Sequence, residues 1–190
     1  MRIVAGDMRG RTFDAPSGRG TRPTSERVRE ATMSSLFSLR GSLNGAVVLD
    51  AFAGSGAFGF EALSRGAAHA TFYEQNNTAL KTLRSNVLKL KVSNDAYEIL
   101  PMDFISNPPK SLNQKFDVVF LDPPYAYSPN TVFEAVSVIA KSGGLDLGAY
   151  ILYEHAKKSL REVEIAAEQF ELASVKSKKF GDTCVSIFKY

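Results

Sequence analysis

An α/β fold with a mostly parallel, Rossmann-like sheet is what this 190-residue chain predicts, on three observations. From residue 46 onward, apolar runs of strand length alternate with stretches of helical period. A glycine pattern, Gly54-Ser55-Gly56-Ala57-Phe58-Gly59, lies between the first of those strands and the first of those helices. Two late strand-like runs are joined by Gly181-Asp182, a pair suited to a two-residue hairpin, so the last strand should run antiparallel.

Residues 1–40 open with a short hairpin. Arg2-Ile3-Val4-Ala5 and Arg11-Thr12-Phe13-Asp14 flank Asp7-Met8-Arg9-Gly10, whose glycine suits a turn, and the stretch 15–20 ends it. A helix follows Pro23-Thr24, with Thr24 as N-cap, Glu26 in the first turn and Val28, Ala31, Leu36 and Leu39 along one side. Strands are then expected at 47–52, 70–73, 97–100, 116–121 and 150–153, and in the pair 170–180 and 183–189. Helices are expected at 58–65, 77–91 and 130–141; in the second, Leu80, Leu83, Val87 and Leu90 recur at helical spacing and mark a face turned to the core.

Composition bounds the function. The chain is 44% hydrophobic and 23% charged, an ordinary globular balance that fits one domain. A single cysteine, Cys184, excludes an internal disulfide and a multi-cysteine zinc site; within Thr183-Cys184-Val185-Ser186 it reads as a small buried hydrophobe. No run approaches the roughly 20 apolar residues of a membrane span, and the first residues lack the apolar core of a signal peptide, so a cytoplasmic location is expected. Charge is unevenly placed: residues 1–40 hold eight arginines, no lysine and four acids, a net +4, while the other 150 residues sum to −1. Arginine's planar fork grips phosphate bidentately, so Arg9, Arg11, Arg22, Arg27 and Arg29 are candidate phosphate contacts; a solvated basic face is the competing explanation.

The glycine pattern has the context it needs, because a strand precedes it, a helix follows, and Glu74 closes the next strand. Gly54 and Gly56 let main chain approach a ligand, the helix N-terminus favours its anionic part, and Glu74 can accept ribose hydroxyls. Asp50 bears on which ligand. A carboxylate there repels a pyrophosphate but attracts the ammonium and sulfonium of S-adenosylmethionine; a buried, structural Asp50 is the alternative. Asp103, with its neighbour Phe104, lies where an acid could take the adenine amine, or where an aspartate could cap the next turn.

The strand at 116–121 empties into Asp122-Pro123-Pro124-Tyr125. Ligands in open α/β sheets lie beyond the carboxyl ends of strands, which puts this tetrapeptide near the cofactor. An exocyclic base amine is a poor nucleophile because its lone pair is delocalised into the ring. Acceptors aimed at its N–H groups favour the pyramidal form that can attack a methyl group. Asp122 supplies one acceptor and the Pro123 carbonyl a second; the prolines hold both, and Tyr125 offers a face on which an extruded base can stack. A rigid strand-ending turn is the structural alternative.

Residues 50–67 around the glycine pattern, together with Arg2-Ile3-Val4-Ala5-Gly6, Arg9-Gly10-Arg11, the run 21–31 and Gly181-Asp182-Thr183, resemble the RsmD-type bacterial 16S rRNA (guanine-N2)-methyltransferases from one end of the chain to the other. The resemblance implies a class I S-adenosylmethionine-dependent methyltransferase fold with a seven-stranded sheet. It implies cofactor contacts at Asp50, Gly54, Gly56, Glu74 and Asp103, and amine handling at Asp122. It further implies that 21–30 closes over the site and that the substrate is rRNA in an assembled or partly assembled small subunit. Residues 1–40 then form a basic extension for RNA contact and site closure, and 41–190 the methyltransferase domain, acting by default as a monomer without metal.

Three other activities share parts of the pattern. A DNA or RNA adenine-N6 methyltransferase shares the tetrapeptide, although a DNA enzyme would need room for a sequence-reading domain. A nicotinamide-dependent oxidoreductase shares the glycine pattern but leaves Asp50 and the tetrapeptide without a purpose. A silent RNA-binding module would not require Glu74 and Asp122 together. His69 and His155 lack partners at metal-ligand spacing and read as surface or capping residues, and Lys176, Lys178 and Lys179 as phosphate contacts or a charged strand edge.

Overall fold

The computed structural model describes residues 1–15, 26–110 and 114–190. Two compact units make up the chain, Met1–Met102 and Asp103–Tyr190.

In the first unit, helix α1 (Glu26–Arg40) precedes strand β1 (Val47–Asp50), helix α2 (Ala57–Ser64), strand β2 (His69–Tyr73), helix α3 (Asn77–Leu90) and strand β3 (Tyr97–Leu100). β1 pairs in parallel with β2 from Val47↔His69 to Asp50↔Phe72, and β2 with β3 from Ala70↔Tyr97 to Tyr73↔Leu100. α3 starts where Asn76 turns its carboxamide oxygen onto the Thr78 and Ala79 N–H groups, at 2.9 and 3.1 Å. Its stripe of Leu80, Leu83, Val87 and Leu90 is buried as the spacing predicted.

The opening hairpin is minimal. One antiparallel bridge joins Arg2 to Thr12, supported by Ile3 N–H on the Arg11 carbonyl at 2.9 Å and Phe13 N–H on that of Met1 at 3.0 Å. It delivers Ile3 and Phe13 to the core, where Phe13 meets Phe60 edge-on at 6.1 Å and Phe60 meets Phe72 at 5.1 Å. Each such ring removes enough apolar surface from water to contribute about 1.5–3 kcal/mol. Gly6 lets the hairpin lie flat on α2: it has φ +84°, and a Cβ there would fall 1.7 Å from the Ser64 carbonyl oxygen. That oxygen instead accepts the Asp7 N–H at 2.7 Å.

In the second unit, strand β4 (Phe116–Leu121) is followed by helix α4 (Pro129–Lys141), strand β5 (Leu145–Ala156), helix α5 (Leu160–Gln169), strand β6 (Ala173–Phe180) and strand β7 (Thr183–Lys189). β4 and β5 are parallel, and β7 runs antiparallel to both β5 and β6. α4 opens on Ser128, whose Oγ accepts the Thr131 N–H at 3.2 Å, with Pro129 in the first turn where its missing N–H costs nothing. Phe133 anchors α4 edge-on to Tyr153 at 5.3 Å and Phe188 at 5.4 Å. The strand order is β3-β2-β1-β4-β5-β7-β6, a seven-stranded, mostly parallel sheet with the expected antiparallel hairpin. No helix among the described residues is long and apolar enough to cross a membrane.

Several expectations shift. β1 stops at Asp50, and Ala51 and Phe52 already turn toward the glycine loop. β5 is far longer than 150–153, because Asp146 and the φ +86° of Gly148 disguise its first half as a turn. α5 was not anticipated, and its C-terminal end delays β6 to Ala173. His155 is not a surface or capping residue: it lies inside β5, 4% exposed, with Nε2 2.9 Å from Ser186 Oγ. Burial holds its imidazole below the usual pKa. Cys184 is buried as expected, and Lys176, Lys178 and Lys179 lie on the outermost strand. The Thr24 cap falls outside the described residues.

Gly59 gives a direct test of the contact between α2 and β2. A Cβ on it would lie 2.2 Å from Phe72 Cε1, in the core. Gly59→Ala is expected to lower stability by about 1–3 kcal/mol despite alanine's better helix propensity. Adding Phe72→Leu should recover part of that loss in urea unfolding; no recovery would locate the strain elsewhere.

Candidate functional site

Between β1 and α2 the chain turns through Gly54, φ +54°, and Gly56, φ +84°. The two glycines serve different ends. A Cβ on Gly56 would strike Phe60 at 2.5 Å and Leu83 at 2.6 Å, so this glycine seats the loop on the core. A Cβ on Gly54 would meet nothing within 4 Å, so its main chain faces open space that a ligand can approach. Gly56 is also the N-cap of α2 and brings no side chain to it; the first turn is capped instead by Asp50, whose carboxylate accepts the Gly59 N–H.

Glu74 ends β2 and holds this loop. Its Oε2 accepts the Gly54 N–H at 2.8 Å and its Oε1 accepts the Asn76 N–H at 2.7 Å. A carboxylate has about four acceptor positions, so two remain after these bonds, enough for a pair of vicinal hydroxyls. Asp50 is 3% exposed and its Oδ2 accepts the Gly59 N–H at 3.0 Å, the structural arrangement that competed with direct ligand contact. Any influence of Asp50 on a ligand is therefore exerted through its charge in a low-dielectric setting. These residues fit S-adenosylmethionine: open main chain at Gly54, and in Glu74 an acid with spare acceptors.

In the second unit Asp103 caps the turn after it, accepting from Ile105 N–H at 3.3 Å, Ser106 N–H at 3.2 Å and Ser106 Oγ at 2.7 Å. Phe104 is 1% exposed and packs in the core. The Asp122–Tyr125 tetrapeptide begins directly after β4. Asp122 is half-buried, Pro123 buried, and Tyr125 71% exposed; Tyr127 N–H closes the turn on the Pro124 carbonyl at 3.1 Å. A large, mostly exposed ring on a proline-stiffened turn is what a stacking platform requires and what a packing residue avoids. Tyr153, on the β5 residue paired with Leu121, stands close by: burial first, then the charges of Glu162 and Asp122, hold its phenol well above the usual pKa. Sequence reasoning missed this neighbour, because register between β4 and β5 is not written in either strand.

The arginines divide. Arg9, Arg11 and Arg27 are exposed, and one Arg11 nitrogen donates to the Leu90 carbonyl at the end of α3, 2.9 Å away. Arg22 lies outside the described residues. Arg29 overturns its expectation as an RNA contact: it is fully buried, 3.6 Å from Glu61 Oε2, donates to the Arg2 carbonyl at 2.6 Å and stacks over Phe13. Glu61, equally buried, also accepts from Arg65 at 2.8 Å and from the Val4 and Ala5 N–H groups at 3.0 and 3.1 Å. Desolvation lowers the Arg29 pKa against the pull of Glu61, as for a charge held by packing. A helix-spacing check gives the signal that charge counting lacks, since Arg29 falls in line with Thr32, Met33 and Leu36. Among the described residues, no cluster of three or more His, Cys, Asp or Glu is arranged for a metal ion.

The chain matches, over residues 1–189, the family described as conserved hypothetical protein 95. It is 38% identical over 160 residues to the ribosomal RNA small subunit methyltransferase D of Haemophilus influenzae, covering 83% of this chain and 79% of that one. A solved structure of a hypothetical protein from Thermus thermophilus superposes with a TM-score of 0.77 at 25% identity, over 100% of this chain and 99% of that one. The precorrin-6y C5,15-methyltransferase of Geobacter metallireducens superposes at 0.69 and 19% identity, over 94% and 93%, which shows the class I methyltransferase fold.

Proposed function

This chain belongs to the RsmD-type family, described as conserved hypothetical protein 95, and on that premise we propose that it transfers a methyl group from S-adenosylmethionine to the exocyclic N2 amine of a guanine in 16S rRNA. The observation that carries the reading is the tetrapeptide: a half-buried Asp122 carboxylate, a buried Pro123 and a 71% exposed Tyr125 ring. The choice of guanine N2 rests on the likeness of the arginine-rich first forty residues to that family.

When bound, S-adenosylmethionine supplies an electrophilic methyl group. Gly54 would leave the loop open to it, Gly56 seats that loop on the core, and Glu74 would accept the ribose hydroxyls. Asp103, with Phe104 beside it, would take the adenine. Asp122 and the Pro123 carbonyl accept from the guanine amine and hold its lone pair ready, while Tyr125 stacks the extruded base. Arg9, Arg11, Arg22 and Arg27 grip phosphates of rRNA in an assembled or partly assembled small subunit.

Tritium transfer tests this. Labelled S-adenosylmethionine, offered with naked 16S rRNA and separately with small subunits, should leave its label in N2-methylguanosine on nucleoside analysis. Label in N6-methyladenosine would move the protein to adenine chemistry, and calorimetric binding of a nicotinamide dinucleotide in place of S-adenosylhomocysteine would remove the cofactor assignment.

A further inference from the structure

The carboxyl edge of the second unit carries more than the tetrapeptide. Pairing runs across the sheet from Leu121 to Tyr153, from Tyr153 to Ser186 and from Ser186 to Ser177. β4, β5 and β6 point the same way, because β7 is antiparallel to both of its neighbours. Asp122 follows Leu121 and Lys178 follows Ser177, so the two stand at one level, three strand spacings or roughly 14 Å apart. Lys179 comes next on β6. At the end of β5, Ala156 lies opposite Thr183, and Lys157 and Lys158 come next. The Lys157 N–H donates to the Asp182 carbonyl at 2.7 Å and ties them to the tip of the closing hairpin.

Charge is unbalanced at these strand ends. Residues 154–158 and 176–182 hold five lysines against two acids, Glu154 and Asp182. Lys157, Lys158, Lys176 and Lys179 are exposed and Lys178 is half-buried, and none of the five joins an ion pair among the described residues. Arg161 on α5, by contrast, is matched to Glu164 at 3.8 Å. Lys176 and Lys178 are two residues apart on one face of β6, roughly 7 Å and so inside the Debye length of about 8 Å; their like charges repel until an anion lies against them.

Guarding the open edge of β6 against another chain accounts for the lysines on that strand. It does not account for Lys157 and Lys158, because β5 lies between β4 and β7 and has no open edge. What the two groups share is the carboxyl edge, where Tyr125 offers its exposed ring.

We propose that these lysines form a second phosphate-contact surface for rRNA, holding the strand that flanks the guanine stacked on Tyr125. This deepens the reading above and rests on it. A strand that leaves its extruded base on Tyr125 continues over the same edge, and its backbone meets the ends of β5 and β6. Lysine suits the task, because a point charge on a flexible stem attracts phosphate without reading a base.

The test is the salt dependence of binding to naked 16S rRNA, with KM for small subunits measured beside it. Each lost contact with a single strand makes the slope of log affinity against log salt shallower by about 0.7, so Lys157→Gln with Lys158→Gln should change it by about 1.4. The same variant should raise KM for small subunits at least about 5-fold, with the loss in KM rather than in kcat. Lys176→Gln with Lys178→Gln and Lys179→Gln should make the slope shallower by about 2. An unchanged slope in the Lys157, Lys158 variant overturns the proposal. So does a β6 variant that self-associates while its slope stays at the wild-type value, the signature of a guarded edge alone. A wild-type protein that neither binds 16S rRNA nor methylates small subunits overturns instead the reading beneath.

Discussion

Asp122→Ala should reduce methyl transfer by about 10²–10⁴-fold while leaving S-adenosylhomocysteine affinity within about 3-fold. The loss is that of an acceptor fixed in place before the base arrives, and the cofactor handles at Gly54, Gly56 and Glu74 belong to other elements. Asp122→Asn separates two uses of the carboxylate. If Asp122 orients the amine, the asparagine oxygen can still accept and much of the rate survives. If it removes the proton, the rate falls as far as in the alanine variant. Tyr125 offers a cleaner cut, because its ring is 71% exposed and contributes little to folding. Activity surviving at wild-type level in Asp122→Ala would dismiss the tetrapeptide as the amine acceptor.

Glu61→Ala is expected to lower unfolding free energy by about 3–5 kcal/mol, because it strands the Arg29 guanidinium in the core without its counter-charge. The carboxylate receives more than Arg29: Arg65 and the Val4 and Ala5 N–H groups also depend on it. Removing both charges is predicted to be gentler than removing one. Arg29→Met combined with Glu61→Met should be more stable than Glu61→Ala in chemical denaturation, since the fully buried guanidinium leaves with its partner and only the part-exposed Arg65 loses its counter-charge. Were the double variant the less stable, the arginine would be held by something other than this carboxylate.

These two residues mark how far the sequence could be read. Asp122 was legible because its neighbours declare it: two prolines after an apolar strand admit few structures, and a strand end of a parallel sheet is a binding edge. The glycine loop was legible for the same local reason. Arg29 was not, because counting charges treats every arginine as solvent-facing, whereas the helix that carries it turns one face inward at each fourth residue. Glu61 escaped for a related cause. It is a polar residue on a buried helical face, and its purpose appears only when the partner segment, far off in sequence, is brought to it. Local pattern likewise recovered β4 and the closing hairpin, but not α5 or the first half of β5, where Gly148 and Asp146 imitate a turn.

The place of β7 in the sheet has a kinetic meaning. β6 and β7 are joined by the two residues Gly181 and Asp182, so their pairing closes a very small loop. β7 must then find β5 across α5, with Ala156 opposite Thr183 and Tyr150 opposite Lys189, which closes a much longer one. Loop-closure entropy rises with length, so the hairpin is expected to pair first and to dock on β5 as a unit, rather than strand by strand. Until it docks, β5 keeps one edge open, and during that interval the second unit is most exposed to mispairing with another chain.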